Sequence, residues 1–265
     1  MSKILIGRYL PGNSIIHQLD SRGKLIATIY FIIIIFLANN WASYLVITLF
    51  TLLTIWATGL KAKVFWDGVK PLIWLIFFTS LLQLFFSTGG KVYWHWYFLA
   101  ITSLGISNAI YIFLRFTLII LFSTVLTITT MPLQIADALS WIMLPLKLVR
   151  VPVDKIALVI SIALRFVPTL FDQTLLIMNA QRSRGADFNS GGLIKRAKAI
   201  TPLLIPLFIN SLERALDLSV AMESRGDRGT EGRSRYRVLR WTKYDWINLL
   251  AFVVLTALLL VTRSR

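Results

Sequence analysis

Between Asp20 and Asp137 the chain carries a single carboxylate, Asp67; residues 21–66 and 68–136 contain no Asp or Glu at all. A water-exposed surface of that length needs acids as well as bases, so this half of the chain is hard to fit to a soluble fold. The composition agrees: 57% of the 265 residues are hydrophobic, and the mean hydropathy is +0.72. Five apolar runs approach the roughly 20 residues a helix needs to cross a bilayer. They lie at about 25–38, 41–60, 69–87, 106–128 and 246–262. The first is short unless it extends into Asn39 and Asn40. The expected fold class is therefore all-α: a polytopic membrane protein of about five transmembrane helices, with two or three long amphipathic cytoplasmic helices. No cleavable signal peptide is expected, because the N-terminal stretch is polar and turn-rich and no small-residue cleavage site follows a first apolar run.

The basic residues set the expected orientation. Lys3, Arg8, Arg22 and Lys24 precede the first run, and Lys61, Lys63 and Lys70 lie between the second and third. The intervening Asn39-Asn40 loop is uncharged, and the loop after the third run has Lys91 and His95 among Tyr93, Trp94, Trp96 and Tyr97, the pattern of an interfacial aromatic belt. This places the N-terminus in the cytoplasm and leaves the segment 131–245 there too. The net charge of +16 is then the lysine and arginine excess of cytoplasmic loops facing anionic lipid, not a nucleic-acid surface. With no cysteine, thiolate chemistry and cysteine zinc sites are excluded. The organisation expected is a membrane domain over 1–130, a cytoplasmic coupling domain over 131–245 and a final span over 246–265.

Segment 131–245 holds 17 of the 28 basic residues and 10 of the 12 acids, yet stays rich in Leu, Ile and Val. Such a mixture describes amphipathic helices at the membrane face. Prolines divide it into pieces of about 133–149, 153–182 (with Pro168 inside as an expected kink) and 192–223. An internal repeat runs through it: 172–185, DQTLLIMNAQRSRG, aligns with 213–226, ERALDLSVAMESRG, at a constant offset of 41 residues. Ser183-Arg184-Gly185 falls on Ser224-Arg225-Gly226. The segment between has one apolar run, about 199–209, broken by Pro202 and Pro206 and too short to cross, so both copies lie on one side of the membrane. Each copy reads as a helix end, with the glycine in the left-handed conformation and the arginine in the last turn at the negative end of the dipole. Five fixed donors and a permanent charge suit that arginine to an acidic or carbonyl-lined groove. Plain helix capping is the competing reading, and two copies in phase weigh against it. Arg115, near the middle of the fourth run, is costly there and is expected to face protein, as a structural group or a partner contact.

These residues resemble a known family. Leu164-Arg165-Phe166-Val167-Pro168, continuing through Asn179-Ala180-Gln181-Arg182-Ser183-Arg184-Gly185-Ala186-Asp187, resembles the first Ala-Arg-Gly-type helix of the T-component of energy-coupling factor (ECF) transporters. Leu216 onward, with Ala221-Met222-Glu223-Ser224-Arg225-Gly226, resembles the second, and Pro11 to Leu25 resembles the turn before the family's first span. The alanine usual before each motif arginine is Ser183 or Ser224 here, and the proline common before Arg22 is Ser21. The resemblance covers nearly the whole chain. It implies a subunit of a bacterial ABC-type vitamin or metal importer in the cell membrane, joining two cytoplasmic ATPases to a small integral membrane S-component that binds the substrate. It implies that Ser183, Arg184, Gly185, Ser224, Arg225 and Gly226 dock the ATPases; Arg165 and Pro168, within the first motif helix, are expected to be structural or partner contacts.

Catalysis by this chain is not expected. There is no G-x-x-x-x-G-K-[ST] and no H-E-x-x-H, His17 and His95 fall on opposite expected sides, and neither motif serine has a histidine nearby. No catalytic residue, metal ligand or cofactor is therefore assigned. The alternative is a self-sufficient channel or secondary transporter, which needs broken helices or a set of polar groups at mid-membrane depth. Arg115, Gln83 and Asn108 qualify singly and form no set.

Overall fold

A computed structural model describes residues 9–87, 89, 91–96, 99–186, 188, 192–226 and 241–263. Lys3, Arg8, Tyr97, Asp187, Arg265 and the stretch 227–240, all invoked above, lie outside the described residues. The chain divides into two compact units, Met1–Ile142 with Leu239–Arg265, and Met143–Val238.

The first unit is a helical membrane bundle. Its elements are α1 (Ile15–Gln18), α2 (Ser21–Ile35), α3 (Trp41–Thr58), α4 (Ala62–Val69), α5 (Ile73–Phe86), the strands β1 (Val92–Trp96) and β2 (Leu99–Thr102), α6 (Ser103–Thr129), α7 (Pro132–Ile142) and, from the far end of the chain, α10 (Lys243–Arg263). Among the described residues four helical stretches are long and apolar enough to cross a membrane: Trp41–Thr58, Ala62–Phe86, Ser103–Thr129 and Lys243–Thr262. The all-α polytopic class stands, with a correction to the number of full-length spans. The first expected span is α2, with 15 residues, about 22 Å against a hydrocarbon core of about 30 Å. It stops because the N–H groups of Phe36, Leu37 and Ala38 turn to carbonyls three residues back, at 3.2, 3.0 and 3.3 Å. The third span begins earlier than expected, at Ala62, since Pro71 sits in a short 3₁₀ turn (Lys70–Leu72) that continues the helix instead of starting it. The aromatic loop 92–102 forms an antiparallel hairpin, with Trp94 opposite Ile101 and Trp96 opposite Leu99. Aromatic and β-branched residues favour that extended pairing, which an interfacial-belt reading does not anticipate.

Several hydroxyls inside the spans are satisfied within their own helices, as hydrocarbon favours. Thr48, Thr51 and Thr54 of α3 each donate to the carbonyl four residues back, at 2.7, 2.8 and 2.9 Å. The core lies where α2, α3, α6 and α10 meet. Phe31 stacks on Phe122 with ring centres 4.1 Å apart, and Phe252 packs edge-on against Phe50 and Phe122 at 5.2 and 6.0 Å. Ile34, Ile35, Ile47, Leu118 and Leu255 complete it. The opposite face of α3 leaves Leu45, Leu49, Leu53 and Trp56 exposed, the all-round apolarity of a helix bathed in lipid. α5 and α6 approach closely at Gly105, where a Cβ would lie 2.8 Å from the Leu84 carbonyl oxygen.

The ends of the bundle are fastened by buried polar groups. Asp20 caps α2 by accepting from the Arg22 N–H at 2.9 Å. Asp245 accepts from the Asp20 N–H at 2.9 Å and caps its own helix through the Thr242 N–H and hydroxyl at 2.7 and 2.8 Å, so α2 and α10 share one carboxylate. Lys24 donates to the Thr129 and His17 carbonyls at 3.1 and 3.3 Å, tying α2 to the end of α6. The turn before α2 is closed by His17, whose Nε2–H donates to the Leu10 carbonyl at 3.0 Å while the Ser14 hydroxyl donates to Nδ1 at 2.6 Å. Gly12 faces that imidazole so closely that a Cβ would sit 2.8 Å from it.

The second unit contains a 3₁₀ stretch (Leu144–Val149) and two long helices, α8 (Val153–Ser183) and α9 (Leu193–Ser224), of 31 and 32 residues. The expected single piece 133–149 is two elements: α7, which packs on α2 in the first unit, and the 3₁₀ stretch, parted at Met143 before Pro145. Arg150 then takes a left-handed φ of 62° to turn the chain into α8. α8 and α9 run on through their prolines, at 168, 202 and 206.

Candidate functional site: two matched helix tips

α8 and α9 end in the same way. Arg184 has φ −86° and ψ 8°; Arg225 has φ −87° and ψ 6°. Each is followed by a glycine in the left-handed region, Gly185 at φ 88° and Gly226 at φ 75°. At the first tip the Gly185 N–H donates to the Arg182 carbonyl at 2.9 Å and the Ala186 N–H to the Gln181 carbonyl at 3.0 Å, the paired bonds of a Schellman cap. At the second the Gly226 N–H donates to the Glu223 carbonyl at 2.9 Å, the equivalent of the first of these. The serines turn their hydroxyls back on their own helices, Ser183 to the Asn179 carbonyl at 3.2 Å and Ser224 to the Ala221 carbonyl at 3.0 Å. The Arg184 and Arg225 side chains are exposed and make no hydrogen bond or ion pair among the described residues. An exposed guanidinium at the negative end of a long helix, with no partner among the described residues, is a donor set presented outward.

The repeat also shows in how the two helices meet. The amide oxygen of Gln173 on α8 accepts from Arg214 Nη2 at 2.6 Å and from Nε at 3.3 Å on α9, with the amide oriented to face the guanidinium. Gln173 and Arg214 are separated by the same 41 residues as the tips. The contact thus joins equivalent positions, and each tip lies 11 residues beyond it, about 16 Å along its helix.

Asp172 and Glu213 are exposed and make no ion pair among the described residues; both belong to a solvated face, as does Arg165, which likewise has no partner among them. Pro168 is exposed on α8 and neither ends the helix nor packs in a core. α9 buries no described residue, and Leu204, Ile205, Phe208, Leu212, Leu216 and Val220 stand exposed along it. Arg115 is half-buried and faces protein: its Nε donates to the Tyr44 hydroxyl at 3.1 Å, its Nη2 to the Ala38 carbonyl at 3.4 Å, and it lies 5.0 Å over the Phe36 ring. The hydroxyls of Thr79 and Ser80 on α5 bond backbone carbonyls. Tyr44, Lys24 and Asp245 were not singled out from sequence. The signal for the last was present, since Asp245 is the one acid in the final span's first turn.

The class defined by this geometry is a polytopic membrane protein carrying a pair of long helices with matched, arginine-bearing ends. The family model for CbiQ, described as cobalt transport protein, matches residues 12–236. The energy-coupling factor transporter transmembrane protein EcfT of Lactobacillus helveticus (strain DPC 4571) is 70% identical over 265 residues, covering 100% of this chain and 96% of that protein. EcfT of Lacticaseibacillus paracasei (strain ATCC 334) is 53% identical over 264 residues, with 100% of both chains covered. EcfT 1 of Listeria monocytogenes serotype 1/2a (strain 08-5578) is 49% identical over 264 residues, covering 100% of this chain and 99% of that one. The chain belongs to the CbiQ/EcfT family, the transmembrane components of energy-coupling factor transporters.

Proposed function

We propose that this chain couples two ABC ATPases to a separate membrane-embedded substrate-binding subunit, and that the tips at Arg184 and Arg225 are where the ATPases hold it. The observation that carries the reading is the repetition of one cap, dihedral for dihedral, with an exposed arginine at each end. Two equivalent plugs call for two equivalent sockets, and a pair of ATPase subunits supplies them. ATP binding draws the ATPases together; the tips move with them. A helix of about 30 residues carries that displacement some 45 Å without bending far, through the Gln173–Arg214 contact. The exposed apolar faces of α8 and α9 then receive the substrate-binding subunit, against which they slide with little loss of apolar contact. The cargo, a vitamin or a metal ion, is selected by that partner. In this reading the N-terminus and the tips are cytoplasmic, as the loop lysines favour.

The test is the double variant Arg184→Ala with Arg225→Ala. It is expected to abolish uptake and to lose the ATPases on affinity purification from native membranes, while the chain itself still inserts. Full uptake by the double variant, or purification without ATPases from wild-type membranes, refutes the docking role.

A further inference from the structure

We propose that Arg115 holds the phosphate of an anionic phospholipid headgroup at the α2–α3 corner of the membrane unit. The inference stands on different residues from the coupling reading and does not depend on it.

The guanidinium has five N–H donors. Two are placed, on Tyr44 and Ala38, and the described residues offer no acceptor to the rest. Nor is there a counter-charge: residues 21–66 and 68–136 contain no acid, and the ion pair recorded among the described residues, Lys147–Asp154, belongs to the other unit. An arginine cannot neutralise itself by losing its proton, so in a membrane this charge needs an anion from outside the chain. Water can fill the open donors but leaves the charge uncompensated. A phosphate oxygen pair matches the free edge of the fork.

Depth and surroundings point to a headgroup. Lys24 near the start of α2 bonds Thr129 at the end of α6, which sets the two helix ends level. Arg115 lies 14 residues back from Thr129, about 21 Å along the helix, the same height as the end of α2. With the Thr129 end of α6 set at one face of a roughly 30 Å core, the short α2 brings its loop, and with it Arg115, to about 9 Å from the other face, a distance an arginine side chain and a yielding headgroup close together. The corner is ringed by interfacial aromatics. Phe36 and Trp41 are more than half exposed, Tyr111 packs on Trp41 at 5.1 Å and stacks on Tyr44 at 4.8 Å, and Tyr44 is buried and holds the fork in one orientation. Aromatic rings of this kind gather at headgroup level.

The experiment uses the intact complex, purified and delipidated in mild detergent. Phosphatidylglycerol, phosphatidylcholine and inorganic phosphate are titrated separately, read by native mass spectrometry for retained lipid and by thermal unfolding. Wild type is expected to retain one phosphatidylglycerol more than Arg115→Gln, with about tenfold weaker binding in the variant for loss of a bidentate charge-assisted pair. Arg115→Lys, which keeps the charge without the fork, falls between, and Tyr44→Phe, which keeps the cation but releases its orientation, also weakens retention. These two variants decide the matter if Arg115→Gln fails to assemble. Equal retention in wild type and all assembled variants overturns the proposal. Stabilisation of wild type by inorganic phosphate as strong as that by phosphatidylglycerol also overturns it, in favour of a free anion.

Discussion

At the scale of the residue, the groups that decide behaviour are few and charged. Lys24 is buried at the head of α2, before the apolar run. Burial pushes its ammonium down to about 8, opposed by the nearby carboxylates of Asp245 and Asp20. The folded chain therefore holds this proton less tightly than the unfolded chain, whose lysine titrates near 10.4. Between about pH 8 and 10.4, unfolding takes up a proton, so stability rises with pH across that window and is flat below it. Thermal unfolding of the detergent-solubilised protein from pH 7.5 to 10 is expected to show this rise, and Lys24→Met to lack it; parallel profiles in the two refute the assignment. Gly226 is the second such residue. Nothing among the described residues lies within 4 Å of a Cβ there, so Gly226→Ala adds no clash with them, only the roughly 1 kcal/mol cost of a left-handed alanine. The expected result is fraying confined to the tip, which leaves the unfolding temperature of the bundle unchanged, with weakened ATPase recovery on purification. A loss of overall stability instead makes the glycine a fold determinant and not a part of the tip.

At the scale of the element, lengths and ends were legible wherever the local chain controls them. The expected helices 153–182 and 192–223 are Val153–Ser183 and Leu193–Ser224, because proline and glycine chemistry acts within a turn or two. What misled was proline inside a helix: Pro71 is carried through a 3₁₀ turn, while Pro145 follows the end of α7. The hairpin 92–102 was read as a loop because its pairing partner, four strand residues further on, is a matter of register and not of local propensity. The α5–α6 pair gives a test at this scale. Gly105→Ala sets a methyl against the Leu84 carbonyl, 2.8 Å away, and must push the helices apart. Destabilisation of about 1–3 kcal/mol is expected, seen as a lowered unfolding temperature. An unchanged temperature means that the close approach contributes little to the bundle.

At the scale of the whole molecule, the membrane core is assembled from both ends of the chain: Phe31, Phe50 and Phe122 meet Phe252 of the last helix, and Asp245 of that helix accepts from Asp20. Among the described residues, every member of this core lies in 27–50, 111–122 or 252–259. Replacing 143–238 by a flexible linker is therefore expected to leave a chain that inserts and unfolds cooperatively but recovers no ATPase. Failure to insert shows that the long helices are needed to bring α10 back. The sequence alone determined the membrane class, the two long helices and the phase of their matched tips. Hydrocarbon excludes acids over a hundred-residue stretch, and a helix end is written in the residues that form it. Tertiary structure alone decided that Asp245 serves two helices, that Gln173 meets its own repeat equivalent in Arg214, and that Tyr44 and Ala38 receive Arg115. Each joins residues distant along the chain, through contacts whose geometry appears only when the helices have packed.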